Sequence, residues 1–245
     1  MKRNIAFIFF AFLVSVAAMA QTRSASGVAY KSGIYDVFII EIDTHSVHHL
    51  SIIDNPSSLS HSSFVSQNVP SRKISFAMSA PTHEDQCVPT GLYVTEGREV
   101  NGINLRDGST NFYKKPNGAL IITNDDATVV ESNKISGIKN LVFALQSGPM
   151  LVIDKRIHPE FQPKSKNKSI RCGVGVFKKD QKSYLVFAIS QNTVKFYEFA
   201  SFFKDYYGCS NALTLGGGKC SMYASFLERS NPTDGDTFCR YILYK

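Results

Sequence analysis

Phe143-Ala-Leu-Gln-Ser-Gly-Pro-Met-Leu-Val-Ile-Asp154, a polar basic segment, and then Ile170-Arg-Cys-Gly-Val-Gly-Val176 decide the fold. Both ends are apolar, β-branched runs bounded by glycine or proline, which is the composition of strands. Gly148 permits a positive φ and Pro149 fixes the next one, so Gln146 and Ser147 are expected to be aimed by a stiff turn. His158 lies in the connecting segment and Arg171 opens the second strand. Polar residues at strand ends, where loops converge, are the first candidates for chemistry.

Working outward, Ile34–Ile42 and Val47–Ile53 read as strands joined by a hairpin through Asp43-Thr-His-Ser46. His45, His48 and His49 do not make a metal site on that reading, because neighbouring strand residues face opposite ways. Asn55–Val69, with six serines, reads as a loop, and Lys73–Ser79 as a strand. Asn117-Gly118 reads as a hairpin turn, and Ala119–Thr123 with Ala127–Glu131 as a strand pair. Tyr184–Ser190 is a buried strand. Val194–Tyr207 is an amphipathic helix, with Phe196, Phe199, Ala200, Phe203 and Tyr206 on one face and Gly208 at its end. Phe238–Tyr244 closes the chain as a strand. The expected class is α+β: a mixed, mainly antiparallel β-sheet or sandwich with one or two packed helices.

The first twenty residues have the pattern of a signal peptide: Lys2 and Arg3, an apolar run over Ile5–Val16, then Ala18-Met19-Ala20. That run is shorter than the roughly 20 residues a membrane span needs, which favours a cleaved signal peptide, leaving no transmembrane segment, over the competing reading of a retained anchor. Residues 21–245 suit one domain in the periplasm or outside the cell. A formal charge of +7 favours anionic ligands, but no basic stripe with interleaved aromatics points to nucleic acid. Five cysteines in an oxidising compartment imply one or two disulfides and a leftover thiol, Cys209 or Cys220 being expected to be bridged. No pattern calls for a metal or another cofactor.

Gln146-Ser-Gly-Pro-Met-Leu-Val152, His158-Pro159 and Ile170-Arg171-x-Gly173-Val-Gly175-Val176 together resemble the phosphodiester glycosidase family. The resemblance runs from about Ile74 to Tyr223 and takes in Pro89-x-Gly91-Leu92-Tyr93-Val94 and the Asn111-Phe112 and Pro116-Asn117-Gly118 block. It implies hydrolysis of a sugar–phosphate diester, with a glycan or sugar-phosphate as ligand. On that resemblance Arg171 acts on the phosphate and Gln146, Ser147 and Gly148 bind substrate. Arg106 has two readings, a bidentate phosphate ligand or a salt bridge to Asp107 or Glu99. Gly217, Gly218 and Lys219 likewise have two, an anion-binding nest for substrate or a tight turn. The chain departs from the family pattern at four places. Ser79 stands for an Asn, Pro81 for a Gly, Cys172 for an Asn and Gly216 for an Asp.

His83, Glu84 and Asp85 are the densest titratable cluster and have two readings: acid and base for proton transfer, or a solvated loop. A third use, a cysteine nucleophile at Cys172 or Cys220, competes with disulfide pairing. Two function classes follow. One is an enzyme that recruits His83, Glu84 or Asp85 for proton transfer. The other is a catalytically degenerate relative that binds a glycan or phosphorylated glycan in the cell envelope.

Overall fold

The computed structural model describes residues 27–55, 57, 59–80, 87–135, 140–216, 219–225, 227 and 235–245. The signal-peptide segment therefore lies outside the described residues. β1 (Gly27–Ser32) and β2 (Tyr35–Ile42) come first, then β3 (Leu50–Asp54), helix α1 (His61–Arg72) and β4 (Phe76–Ser79). β5 (Tyr93–Thr95), β6 (Arg98–Asn101), β7 (Gly118–Ile122), β8 (Ala127–Glu131) and β9 (Phe143–Ser147) form the middle. β10 (Met150–Ile153), β11 (Arg156–Ile157), β12 (Lys168–Ser169), β13 (Cys172–Lys179), β14 (Lys182–Ser190) and β15 (Val194–Lys195) lead to helix α2 (Phe196–Ser201). α2 runs on through a wider turn over Phe202–Tyr206 before β16 (Asn211–Thr214), β17 (Met222–Ala224) and β18 (Arg240–Tyr244).

Every described strand pair is antiparallel. A seven-stranded sheet has the order β1-β2-β14-β13-β16-β10-β11, a four-stranded sheet β17-β4-β18-β3 and a five-stranded sheet β6-β5-β9-β7-β8. The three sheets meet around one core. Phe38, Val174 and Phe187 reach it from the first, Phe76, Met78 and Ile242 from the second, and Leu120, Phe143 and Leu145 from the third. Burying each such side chain stabilises the fold by about 1.5–3 kcal/mol.

The alternation in Cys172-Gly-Val-Gly-Val176 explains the layering. Val174 and Val176 face the central core, while Gly173 and Gly175 face α2. A Cβ on Gly175 would lie 2.7 Å from the Phe203 ring, so the glycines are what let α2 press onto the sheet. Of the predicted stripe, Phe199, Ala200 and Phe203 are core and Phe196 packs against them, whereas Tyr206 is 64% exposed because the wider turn over Phe202–Tyr206 shifts it off that face.

Three local expectations are corrected. Asp43–Ser46 is not a hairpin: Asp43 Oδ1 accepts from His45 N and Ser46 N, and that turn carries the chain from the seven-stranded to the four-stranded sheet. Asn117-Gly118 is not a turn either. Gly118 opens β7, where a Cβ would meet the Val130 carbonyl oxygen at 2.7 Å. The serine-rich 55–69 segment, read as a loop, contains most of α1. Ser60 Oγ accepts from Ser63 N at its start, and Phe64 stacks on Tyr241 with ring centroids 3.7 Å apart.

Cys172 is bonded to Cys220 and Cys87 to Cys239, leaving Cys209 as a buried thiol whose pKa burial pushes up to about 12. The disulfides remove Cys172 and Cys220 as nucleophiles.

Candidate functional site

The start of β13, the end of β16 and the end of β4 come together. Leu215 N donates to Cys172 O at 2.8 Å, and Thr214 N to Pro149 O at 3.2 Å. Ser79 N donates to Ser221 O, and Ser79 Oγ accepts from Ser221 N, both at 3.0 Å. Thr214 Oγ1 lies within hydrogen-bonding distance of Cys172 O and Gly216 O. Ser79, Cys172, Gly216, Cys220 and Ser221 thus form one buried cluster. Three of the four departures from the family pattern fall in it.

A Cβ at Gly216 would lie 2.6 Å from Cys220 Sγ, 2.9 Å from the Lys219 carbonyl oxygen and 3.0 Å from Cys172 Sγ. The disulfide therefore occupies the room into which any side chain at position 216 would project. It leaves room only for glycine at 216.

The other candidates separate by strand alternation. Arg171 adjoins Cys172 but leaves on the α2 face, 2% exposed. Its guanidinium lies 3.4 Å over the Phe196 ring, Nε donates to Val194 O at 3.0 Å and Nη2 reaches Asn167 Oδ1 at 3.5 Å. Burial lowers its pKa to about 10, still protonated at neutral pH. No carboxylate bridges it among the described residues. The ring face and the two carbonyl-type oxygens thus compensate the buried cation.

Gln146, 3% exposed, leaves β9 on the outer face. Its Oε1 accepts from Leu92 N and Asn104 N, both at 2.9 Å, and its Nε2 donates to Asn104 O at 2.7 Å and Ser132 Oγ at 3.0 Å. All four bonds of the amide are made within the protein. Ser147, on the opposite face, is buried, and its Oγ has no hydrogen-bond partner among the described residues. Gly148 packs against Phe112 O, where a Cβ would lie at 2.3 Å.

Arg106 is exposed beside the Asn104 brace, its Nε donating to Asn104 Oδ1 at 3.3 Å. Lys219 is exposed and pairs with Asp236 at 2.9 Å. His83, Glu84, Asp85, Pro81, Gly217 and Gly218 lie outside the described residues. A cavity of about 520 Å³ sits at the far end of these strands, between Leu50 and Phe143. It holds none of the family-pattern residues, so volume alone does not locate the site.

Three partners of Arg171 were not singled out in sequence. Phe196 read as part of the core stripe, Asn167 as one polar residue in a basic segment, and Val194 contributes only its backbone. None carries a sequence signal for this role.

His158 is buried, its Nε2 3.1 Å from Lys115 O and its Nδ1 accepting from Glu160 N at 3.2 Å. Burial, the main cause, lowers its pKa below the usual 6.5. The unfolded chain therefore binds the extra proton more readily. This contribution to stability is full above pH 6.5 and is lost as pH falls through the folded-state pKa. Urea unfolding at pH 7.5 and pH 5 should show a smaller acid loss for His158→Gln than for the native chain. Equal losses would remove His158 as a source. His49, also lowered by burial, contributes with the same sign in both proteins.

Two similarities bear on this geometry. The zebrafish N-acetylglucosamine-1-phosphodiester alpha-N-acetylglucosaminidase catalytic domain, auto-inhibited by its pro-peptide, superposes with a TM-score of 0.57 at 17% identity, covering 91% of this chain and 85% of that one. At that identity the likeness is one of fold. Protein YigE of Escherichia coli (strain K12), described as uncharacterized, is 32% identical over 151 residues, which is 62% of this chain and 58% of that protein. The sequence profile of the phosphodiester glycosidase family matches residues 68–242, well over half the chain, and the chain therefore belongs to that family.

Proposed function

We propose that the chain is an exported family member that binds a phosphorylated glycan in the cell envelope and no longer hydrolyses it. The observation that carries this is the Cys172–Cys220 disulfide in the space in front of Gly216. Cleaving a sugar–phosphate diester needs a group that positions water and another that protonates the leaving oxygen. A disulfide has no proton to give, and Ser79, an alcohol that accepts from Ser221 N, is neither a carboxylic acid nor an imidazole. Arg171 remains charged, but on the α2 face and away from the disulfide. The signal-peptide pattern and two disulfides agree with an oxidising, extracytoplasmic compartment.

The test is calorimetry of the purified mature chain with sugar-1-phosphates and their methyl phosphodiesters, with released sugar assayed in the same samples. Binding without released sugar is the expected result. Rapid release would return proton transfer to His83, Glu84 or Asp85 and overturn this reading.

A further inference from the structure

The α2 face that carries Arg171 also holds a pocket of about 200 Å³, smaller than the roughly 300–1,000 Å³ of drug-sized sites. That is room for one sugar ring. Its floor includes Phe161 and Phe196, parallel with centroids 4.7 Å apart, and Arg171 lies on a face of Phe196. Phe161 in turn stacks on His158, so the floor is a fixed column rather than a mobile wall.

The rim is polar and largely unspent. Among the described residues, neither the Asn111 amide nor the Tyr197 hydroxyl bonds to another protein group. Gln162 uses only its Nε2, on Pro159 O, and Asn167 only its Oδ1, facing Arg171. Planar amides that offer a donor and an acceptor suit vicinal hydroxyls, whereas the faces of Phe161 and Phe196 are taken up by His158, by each other and by Arg171, so recognition falls to the polar rim. Lys114 and Glu160 pair at the rim. Lys164, Lys166 and Lys168, all exposed, interleave with Ser165 and Asn167, which line the pocket. The surroundings therefore favour negative charge.

We propose that this pocket is a glycan subsite that takes one pyranose unit of an anionic glycan, beside Arg171 and on the opposite sheet face from the disulfide. The proposal rests on the glycan-binding reading above and adds the place and the ligand's size and charge.

The experiment measures affinities of the mature chain, Tyr197→Phe and Asn111→Ala for glucose 1-phosphate, N-acetylglucosamine 1-phosphate and the matching methyl glycosides. Each variant removes groups without a protein partner, so melting temperatures should be unchanged, and Tyr197→Phe stands alone if Asn111→Ala fails to fold. Each lost hydrogen bond should weaken binding roughly three- to tenfold. The phosphates should bind more tightly than the neutral glycosides, with a gap that narrows in salt. If the native chain binds and both variants bind equally well, the subsite is wrong while the glycan reading stands. Equal affinity for neutral and phosphorylated sugars would overturn the anionic part. No binding of any sugar by the native chain would overturn the glycan reading itself.

Discussion

Replacing Gln146 by alanine is expected to cost at least about 3 kcal/mol of stability. The change strands Leu92 N and Asn104 N, which share Oε1, and takes the donor from Asn104 O and Ser132 Oγ. A buried group left unpaired costs about 1–3 kcal/mol, and the emptied volume adds to that. Gly91 shows how closely the site is built, since a Cβ there would lie 2.3 Å from Gln146 Oε1. Gly91→Ala should therefore be destabilising by the same route. Urea unfolding of both variants is the check. A loss under about 1 kcal/mol for Gln146→Ala, with weakened sugar-phosphate binding, would restore Gln146 as a ligand contact instead of a brace.

The second large effect is at Gly216. Gly216→Asp alone should prevent the Cys172–Cys220 bond, because its Cβ would sit 2.6 Å and 3.0 Å from the two sulfurs. With a sequence separation of 48 residues, losing that bond costs about 4 kcal/mol on a chain-entropy basis, and overpacking adds about 1–3 kcal/mol. Two extra titratable thiols and a lower melting temperature are the expected readouts. Adding Cys172→Asn and Cys220→Ser should relieve the crowding at the sulfurs and recover part of the stability. A Gly216→Asp protein with both disulfides intact and native stability would show that the space is not shared.

Much of the fold was legible because continuous runs of apolar, β-branched and aromatic residues mark strands buried on both faces. Tyr184–Ser190 and Phe238–Tyr244 were found that way. α1 was not, because its serines carry no apolar stripe, and its position depends on Phe64 reaching Tyr241, far along the chain. The site divided similarly. Strand ends could be read as neighbours from the glycines and polar residues that punctuate them. Their faces could not, since Arg171 and Cys172 differ by one residue and therefore point opposite ways. Gln146 looked like a ligand contact because its partners, 54 and 42 residues away, are backbone groups without a sequence signature. Cys220 could be read as bridged, but not as bridged to the residue that replaces the family's Asn.

The central claim is that the disulfide stands where the family pattern places a carboxylate, so that binding persists without hydrolysis. The most direct measurement is single-turnover cleavage of a sugar-1-phosphodiester by the native chain, with its binding of the same diester followed by calorimetry. Binding with no cleavage above background is the expected result, because the roughly 10²–10⁴-fold that a positioned acid or base supplies is missing. Brisk cleavage by the native chain would contradict it.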